Sequence, residues 1–141
     1  MEKFSEILKD FVLESGKSLR QIEKESGVAS SQISRYLKNT IPSLEIAIKL
    51  SQYFNCTLDY LFGLSDMQGQ ASTEQFNLTR FINKYEKLLD DNNITHWAFS
   101  KKYNLSESCL RHWRNGEYPS ISSLILISVN LNIPLVELVF G

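Results

Sequence analysis

Residues 18–39 read Ser18-Leu-Arg-Gln-Ile-Glu-Lys-Glu-Ser-Gly-Val-Ala-Ser-Ser-Gln-Ile-Ser-Arg-Tyr-Leu-Lys-Asn39. Ser18 is a helix-capping residue. The helix it opens, over 19–25, carries Leu19 and Ile22 inward. Gly27 supplies the left-handed backbone of a tight turn. A second, polar helix follows over about 30–38. At about 100° per residue, Ile33, Tyr36 and Leu37 make one apolar face of it, and Ser30, Ser31, Ser34, Arg35 and Lys38 the opposite face. Two short helices meet at a glycine, and the second shows small polar residues and two cations to solvent.

The flanks extend this helical plan. Phe4, Leu8, Phe11 and Val12 share one face of a helix over 4–15 that Gly16 can stop. Asn39 and Pro42 end the polar helix. Ser43 caps a helix over 44–54, and a short helix follows over 57–62. No stretch alternates as a strand does, so the fold class is all-α. The plan then repeats without a gap at an offset of 77: Phe4 with Phe81, Ile22 with Phe99, Ile33 with Leu110, Tyr36 with Trp113, and Pro42-Ser43-Leu44 with Pro119-Ser120-Ile121. Thr95 replaces Ser18 as a cap, and Asn104 replaces Gly27, Asn being the commonest non-glycine residue in left-handed turns. Gly116 stands where a C-cap glycine belongs. The expected organisation is a first domain over 1–63, a polar linker over 64–76 and a divergent second domain over 77–141. The linker's extended reach is roughly 40 Å.

These residues, with Leu58-Asp-Tyr-Leu-Phe-Gly63 and the second copy's Leu105-Ser-Glu-Ser-Cys-Leu-Arg-His-Trp-Arg-Asn-Gly-Glu-Tyr-Pro-Ser120, resemble the Cro/C1-type (XRE-like) helix-turn-helix family. The resemblance covers about 120 residues and implies two tandem five-helix, lambda-repressor-like helix-turn-helix domains. It also implies sequence-specific double-stranded DNA binding at an operator, transcriptional control, and dimers on palindromic sites. The family's base-contacting positions fall on Ala29, Ser30, Ser31 and Arg35, with Gln32 beside them. Arg35 can reach guanine O6 and N7, and Ala29 a thymine methyl. Ser34 lies on the same face, Lys38 and Asn39 suit the DNA backbone, and the free N–H groups at the helix start favour phosphate. The second copy's third helix is expected to present Glu107, Ser108, Arg111, His112 and Asn115, with Arg114 at the margin of the buried face. One residue departs from the family: Glu23 stands four before the turn glycine, where a small residue is usual. The carboxylate is expected to slide outward to solvent.

The whole chain carries 15 basic and 16 acidic residues, a formal charge of −1. Residues 1–66 hold 8 basic and 9 acidic groups, and residues 67–141 hold 7 of each. Neither half is basic, which argues against coating nucleic acid by bulk charge. Trp113, Tyr36 and Cys56 read as core, and Cys109 as an ordinary thiol. Lys101 and Lys102 suit phosphate or plain solvent equally. His96 and His112 have no metal-ligand spacing. No nucleophile elbow, phosphate loop or carboxylate pair is present. The chain is therefore expected to be no enzyme, to use no metal or cofactor, and to take no small-molecule ligand. The N-terminus lacks a signal-peptide pattern and no run is long enough to span a membrane, so a cytoplasmic protein is expected; the family resemblance implies a repressor of phage or mobile-element type. A homodimer is compatible with this reading. The competing reading is a protein-interaction module, an antirepressor or corepressor, built on the same fold.

Overall fold

The computed structural model describes residues 2–141. Among these residues all regular structure is helical, with no strand. The chain divides into two units, the first ending at Thr73 and the second spanning Glu74–Gly141.

The first unit contains α1 (Glu2–Ser15), α2 (Leu19–Ser26), α3 (Ser30–Tyr36), α4 (Leu44–Phe54) and α5 (Leu58–Leu61). Its core is Phe4, Leu8, Ile22, Val28, Ile33, Ala47, Leu50, Cys56 and Leu61, all wholly buried. Phe4 stacks on Phe62 at 4.9 Å between ring centres and also meets Tyr36 at 6.2 Å, so α1 supports the end of α3. The Ser5 hydroxyl donates to the Leu37 carbonyl at 2.8 Å and fixes the same junction. Ser18, Ser43 and Thr57 each accept from the backbone N–H three residues on, so each is the cap its helix needs.

The second unit contains α6 (Leu78–Asp91), α7 (His96–Tyr103), α8 (Cys109–Arg114), α9 (Ile121–Asn130) and α10 (Leu135–Phe140). Its core is more aromatic. Phe81 and Tyr85 meet Trp113 edge-on at 5.1 and 5.5 Å, and Tyr85 meets Phe99 at 6.1 Å. Thr95 and Ser120 cap α7 and α9.

The two units share their turns. Positive φ occurs at Gly16 and Asn93, Gly27 and Asn104, Asn39 and Gly116, and Asn55 and Asn132, each pair 77 apart. Only glycine and asparagine occupy these positions, because a Cβ is costly in the left-handed region and Asn tolerates it best. Burial follows the same offset: Phe4 and Phe81, Ile22 and Phe99, Ile33 and Leu110, Tyr36 and Trp113, and Leu50 and Ile127 are all inside.

The polar segment 64–76 differs from a free linker. The Leu64 N–H donates to the Asp59 carbonyl at 2.7 Å, and the Thr57 N–H donates to the Gln68 carbonyl at 2.9 Å. The Gln68 side-chain amide donates to the Asn55 carbonyl, and the Ala71 N–H to the Asn55 side-chain oxygen, each at 3.1 Å. Asn55, held left-handed after α4, thus serves as a clasp. At the far end Phe76 packs on Tyr118 at 5.0 Å and belongs to the second unit.

Candidate nucleic-acid interface

Helix α3 has its apolar side fixed by burial of Ile33 and Tyr36, which turns the other side outward. Ser31 and Arg35 are exposed, while Ala29, Ser30, Gln32 and Ser34 are half-buried. The helix ends at Tyr36, so Lys38 and Asn39 lie beyond it, in a turn. That turn is closed by the Lys38 N–H to the Arg35 carbonyl at 2.9 Å and the Thr40 N–H to the same oxygen at 3.2 Å. Lys38 is exposed and Asn39 is left-handed at φ 75°. Among the described residues neither Arg35 nor Lys38 has an ion-pair partner.

Glu23 is exposed, as its sequence expectation has it, and its carboxylate also accepts the Ser30 N–H at 2.5 Å. Ala29 precedes α3 and has no side-chain oxygen to cap it, so Glu23 supplies the acceptor across the turn. The hydrogen bond from Ser30 holds the Glu23 carboxyl below the ordinary carboxylate range. An anion beside a helix start is favourable for the helix. One of the N–H groups expected to meet phosphate is therefore occupied, and a negative charge stands beside the polar face.

The second unit departs further. Helix α8 begins at Cys109, two residues later than α3 by the offset of 77. Glu107 and Ser108, expected on the helix, lie in the turn before it. The physical reason is a side-chain strut. The His96 Nε2 bonds to the Glu107 carbonyl at 2.9 Å, and its Nδ1 to the Tyr85 hydroxyl at 2.7 Å. The carbonyl can only accept, so Nε2 carries the proton. In the neutral ring Nδ1 then accepts from the Tyr85 O–H. Burial pushes the Tyr85 phenol up, keeping that proton in place. The Glu107 carbonyl is thereby bound by His96 at the point where the helix would otherwise start. The first unit has Leu8 and Leu19 at the positions of Tyr85 and His96 and cannot make this strut.

The remaining charges around α8 are mostly engaged. Glu107 pairs with Lys101 at 2.9 Å, Arg114 with Glu86 at 2.7 Å, and His112 Nδ1 lies 3.3 Å from Glu117. Arg114 is thus tied to α6. The Ser108 and Ser106 hydroxyls are 3.0 Å apart. Asn115 follows the helix as its C-cap, and Gly116 continues the turn at φ 99°. Arg111 is exposed and has no ion pair among the described residues. Sequence reasoning missed Tyr85 and His96 as shapers of this turn and Glu23 as a cap. Glu23 and His96 each act on a backbone group at least seven residues away, Tyr85 acts through the His96 ring eleven residues on, and no local pattern marks such a contact.

The first unit thus places a buried-backed polar helix after a glycine turn, with two unpaired cations at its outer end. The helix-turn-helix family model matches residues 8–61. The matched helix-turn-helix span runs from within α1 through α5 and supports a DNA-binding regulator. No curated protein and no solved structure matches the chain. Among the described residues no helix is long and apolar enough to cross a membrane.

Proposed function

We propose that this protein is a sequence-specific DNA-binding transcriptional regulator, a cytoplasmic repressor of phage or mobile-element type, with two tandem helix-turn-helix units. The observation that carries the reading is the polar side of α3 and the turn after it within the matched span, where among the described residues Arg35 and Lys38 have no ion-pair partner. Ser31 and Arg35 face bases in the major groove, with Ala29, Ser30, Gln32 and Ser34 lining the approach. Lys38 and Asn39, in the turn, hold the sugar-phosphate backbone. The left-handed positions and buried pairs at offset 77 support a second copy of the same domain. In that copy Arg111 is the leading base contact, with Ser108, His112 and Asn115 beside it. Glu107, paired with Lys101, is a weak one.

Two unlike reading helices in one chain call for an asymmetric site with half-sites about 34 Å apart. Tethering the units raises the occupancy of each by effective concentration. The test is selection of bound DNA from a random pool, followed by gel-shift at two salt concentrations. An enriched motif whose affinity falls steeply with salt supports the reading. Absence of any DNA retention at low salt sinks it. The engaged charges around α8 favour a second reading for the second unit alone, as a protein-contact module. In that case, deleting its DNA contribution through Arg111→Ala leaves the selected motif unchanged.

A further inference from the structure

Three residues of the first unit hold the segment that follows α5. The Gln52 side-chain amide, on α4, donates to the Ser72 carbonyl at 3.2 Å. The Asn55 side-chain oxygen accepts the Ala71 N–H at 3.1 Å, and the Thr57 N–H donates to the Gln68 carbonyl at 2.9 Å. Ala71 and Ser72 are half-buried as a result. Gly69 makes the bend at φ 61°, and a Cβ there would come within 2.8 Å of the Thr57 Cγ2. Both the backbone and the close approach therefore call for glycine. At an offset of 77 the second unit has Val129 and Pro134 in place of Gln52 and Thr57. Valine offers no polar side chain and proline no N–H, so the hold is particular to the first unit and no by-product of a shared fold.

We propose that this clasp fixes the half-site spacing the protein accepts, so that Asn55, Gln68 and Gly69 set specificity without touching DNA. The proposal rests on the reading of both units as DNA-binding. Reach decides it. Left loose, the chain from Leu64 to Phe76 would extend over roughly 40 Å. Held at Ser72, it has only four residues in which to arrive at Phe76, roughly 13 Å. Phe76 is itself fixed in the second unit, 5.9 Å from Phe81 and 5.0 Å from Tyr118 between ring centres. Inserting about ten base pairs between half-sites carries one of them about 34 Å along the axis and back to the same face. Anchors that a tether of roughly 13 Å joins on the shorter site then stand about 20 Å or more apart. The held tether cannot span that gap, so the effective concentration of the second unit falls towards zero. The loose segment has the reach.

The test is gel-shift of the full chain on its selected site and on the same site with about ten base pairs inserted at the centre. The wild-type chain is expected to lose about a hundredfold or more in affinity on the longer site. Asn55→Gly/Gln68→Ala/Gly69→Ala releases the segment, and glycine keeps the left-handed turn that Asn55 makes at φ 52°. This variant regains most of the loss. So does an insertion of about ten Gly/Ser residues between Thr73 and Glu74, which lengthens the tether and leaves the clasp intact. Without DNA, the Ala71 and Thr57 amides exchange about tenfold or more slowly in the wild type than in the released variant. Equal wild-type binding to both sites overturns the proposal and leaves the DNA reading standing. So does a released or lengthened chain that is as bound to one spacing as the wild type, or a wild-type Ala71 amide that exchanges like open chain. A selected motif with a single half-site overturns it as well, and a chain that selects no motif overturns both. Should the triple variant lose helical circular dichroism, Gln68→Ala/Gly69→Ala, confined to the segment, decides in the same direction.

Discussion

The strut from Tyr85 through His96 to Glu107 yields the sharpest prediction. His96→Leu places in the second unit the residue the first unit has at that position. It removes two hydrogen bonds at once, of 2.7 and 2.9 Å. The two losses are unequal. Glu107 is exposed, so water replaces His96 at its carbonyl. Tyr85 is 0% exposed, so its hydroxyl is left buried with no acceptor. Such an orphaned group costs about 1–3 kcal/mol. For a unit of this size that is a fall in melting midpoint of roughly 5–20 °C. Tyr85→Phe in the same background removes the orphan, so the double variant is more stable than His96→Leu alone. Both tryptophans, Trp97 and Trp113, lie in the second unit, and Trp113 is 3% exposed beside Tyr85. Urea titration followed by tryptophan fluorescence therefore reads this unit selectively. The reasoning is refuted if Tyr85→Phe restores nothing and the two losses simply add.

Other outcomes follow from the site. Arg35→Ala costs about 1–3 kcal/mol of specific DNA affinity and relaxes one base preference; an unchanged selected motif removes Arg35 from direct readout. Glu23→Gln keeps an acceptor for the Ser30 N–H but removes the anion beside α3. It therefore tightens DNA binding at low salt, and unchanged gel-shift affinity contradicts that placement. The Glu25 carboxyl is drawn down to about 2 by hydrogen bonds from Lys17 first, then Tyr53 and Gln21. A depressed folded-state value means stabilisation that is full above the usual carboxylate range, near 4.5, and is lost as pH falls towards 2. Glu25→Gln thus lowers the thermal midpoint much more at pH 7 than at pH 2; an equal effect at both leaves the Lys17–Glu25–Tyr53 cluster without a charge-dependent role.

Much of the backbone was legible because its signals are local. Ser18, Ser43, Thr95 and Ser120 each bond to an N–H three residues away, and a cap is chosen by the residue type and its next turn. Gly27 and Asn104 mark their turns through their own φ preference. The polar side of α3 was legible because burial of Ile33 and Tyr36 fixes which side of a 3.6-residue repeat looks outward. Three features were not. The start of α8 depends on an imidazole eleven residues from the carbonyl it binds. Glu23 departs from the small residue usual at its position, and its acceptor role exists only once α3 is brought across the turn. The segment 64–72 reads as a linker by composition, yet Asn55 ties it back to α4.

By itself, then, the sequence determined an all-helical chain, the order of its helices, the turns between them and the outward side of α3. Those follow from rules that act within about four residues: periodicity, caps and left-handed turns. Tertiary structure alone decided which charges stay unpaired. Among the described residues Arg35 and Lys38 have no ion-pair partner, whereas Arg114 is held by Glu86 and Glu107 by Lys101. A charge is cancelled by whatever the fold brings within about 4 Å, and that distance is set by packing between helices rather than by position along the chain.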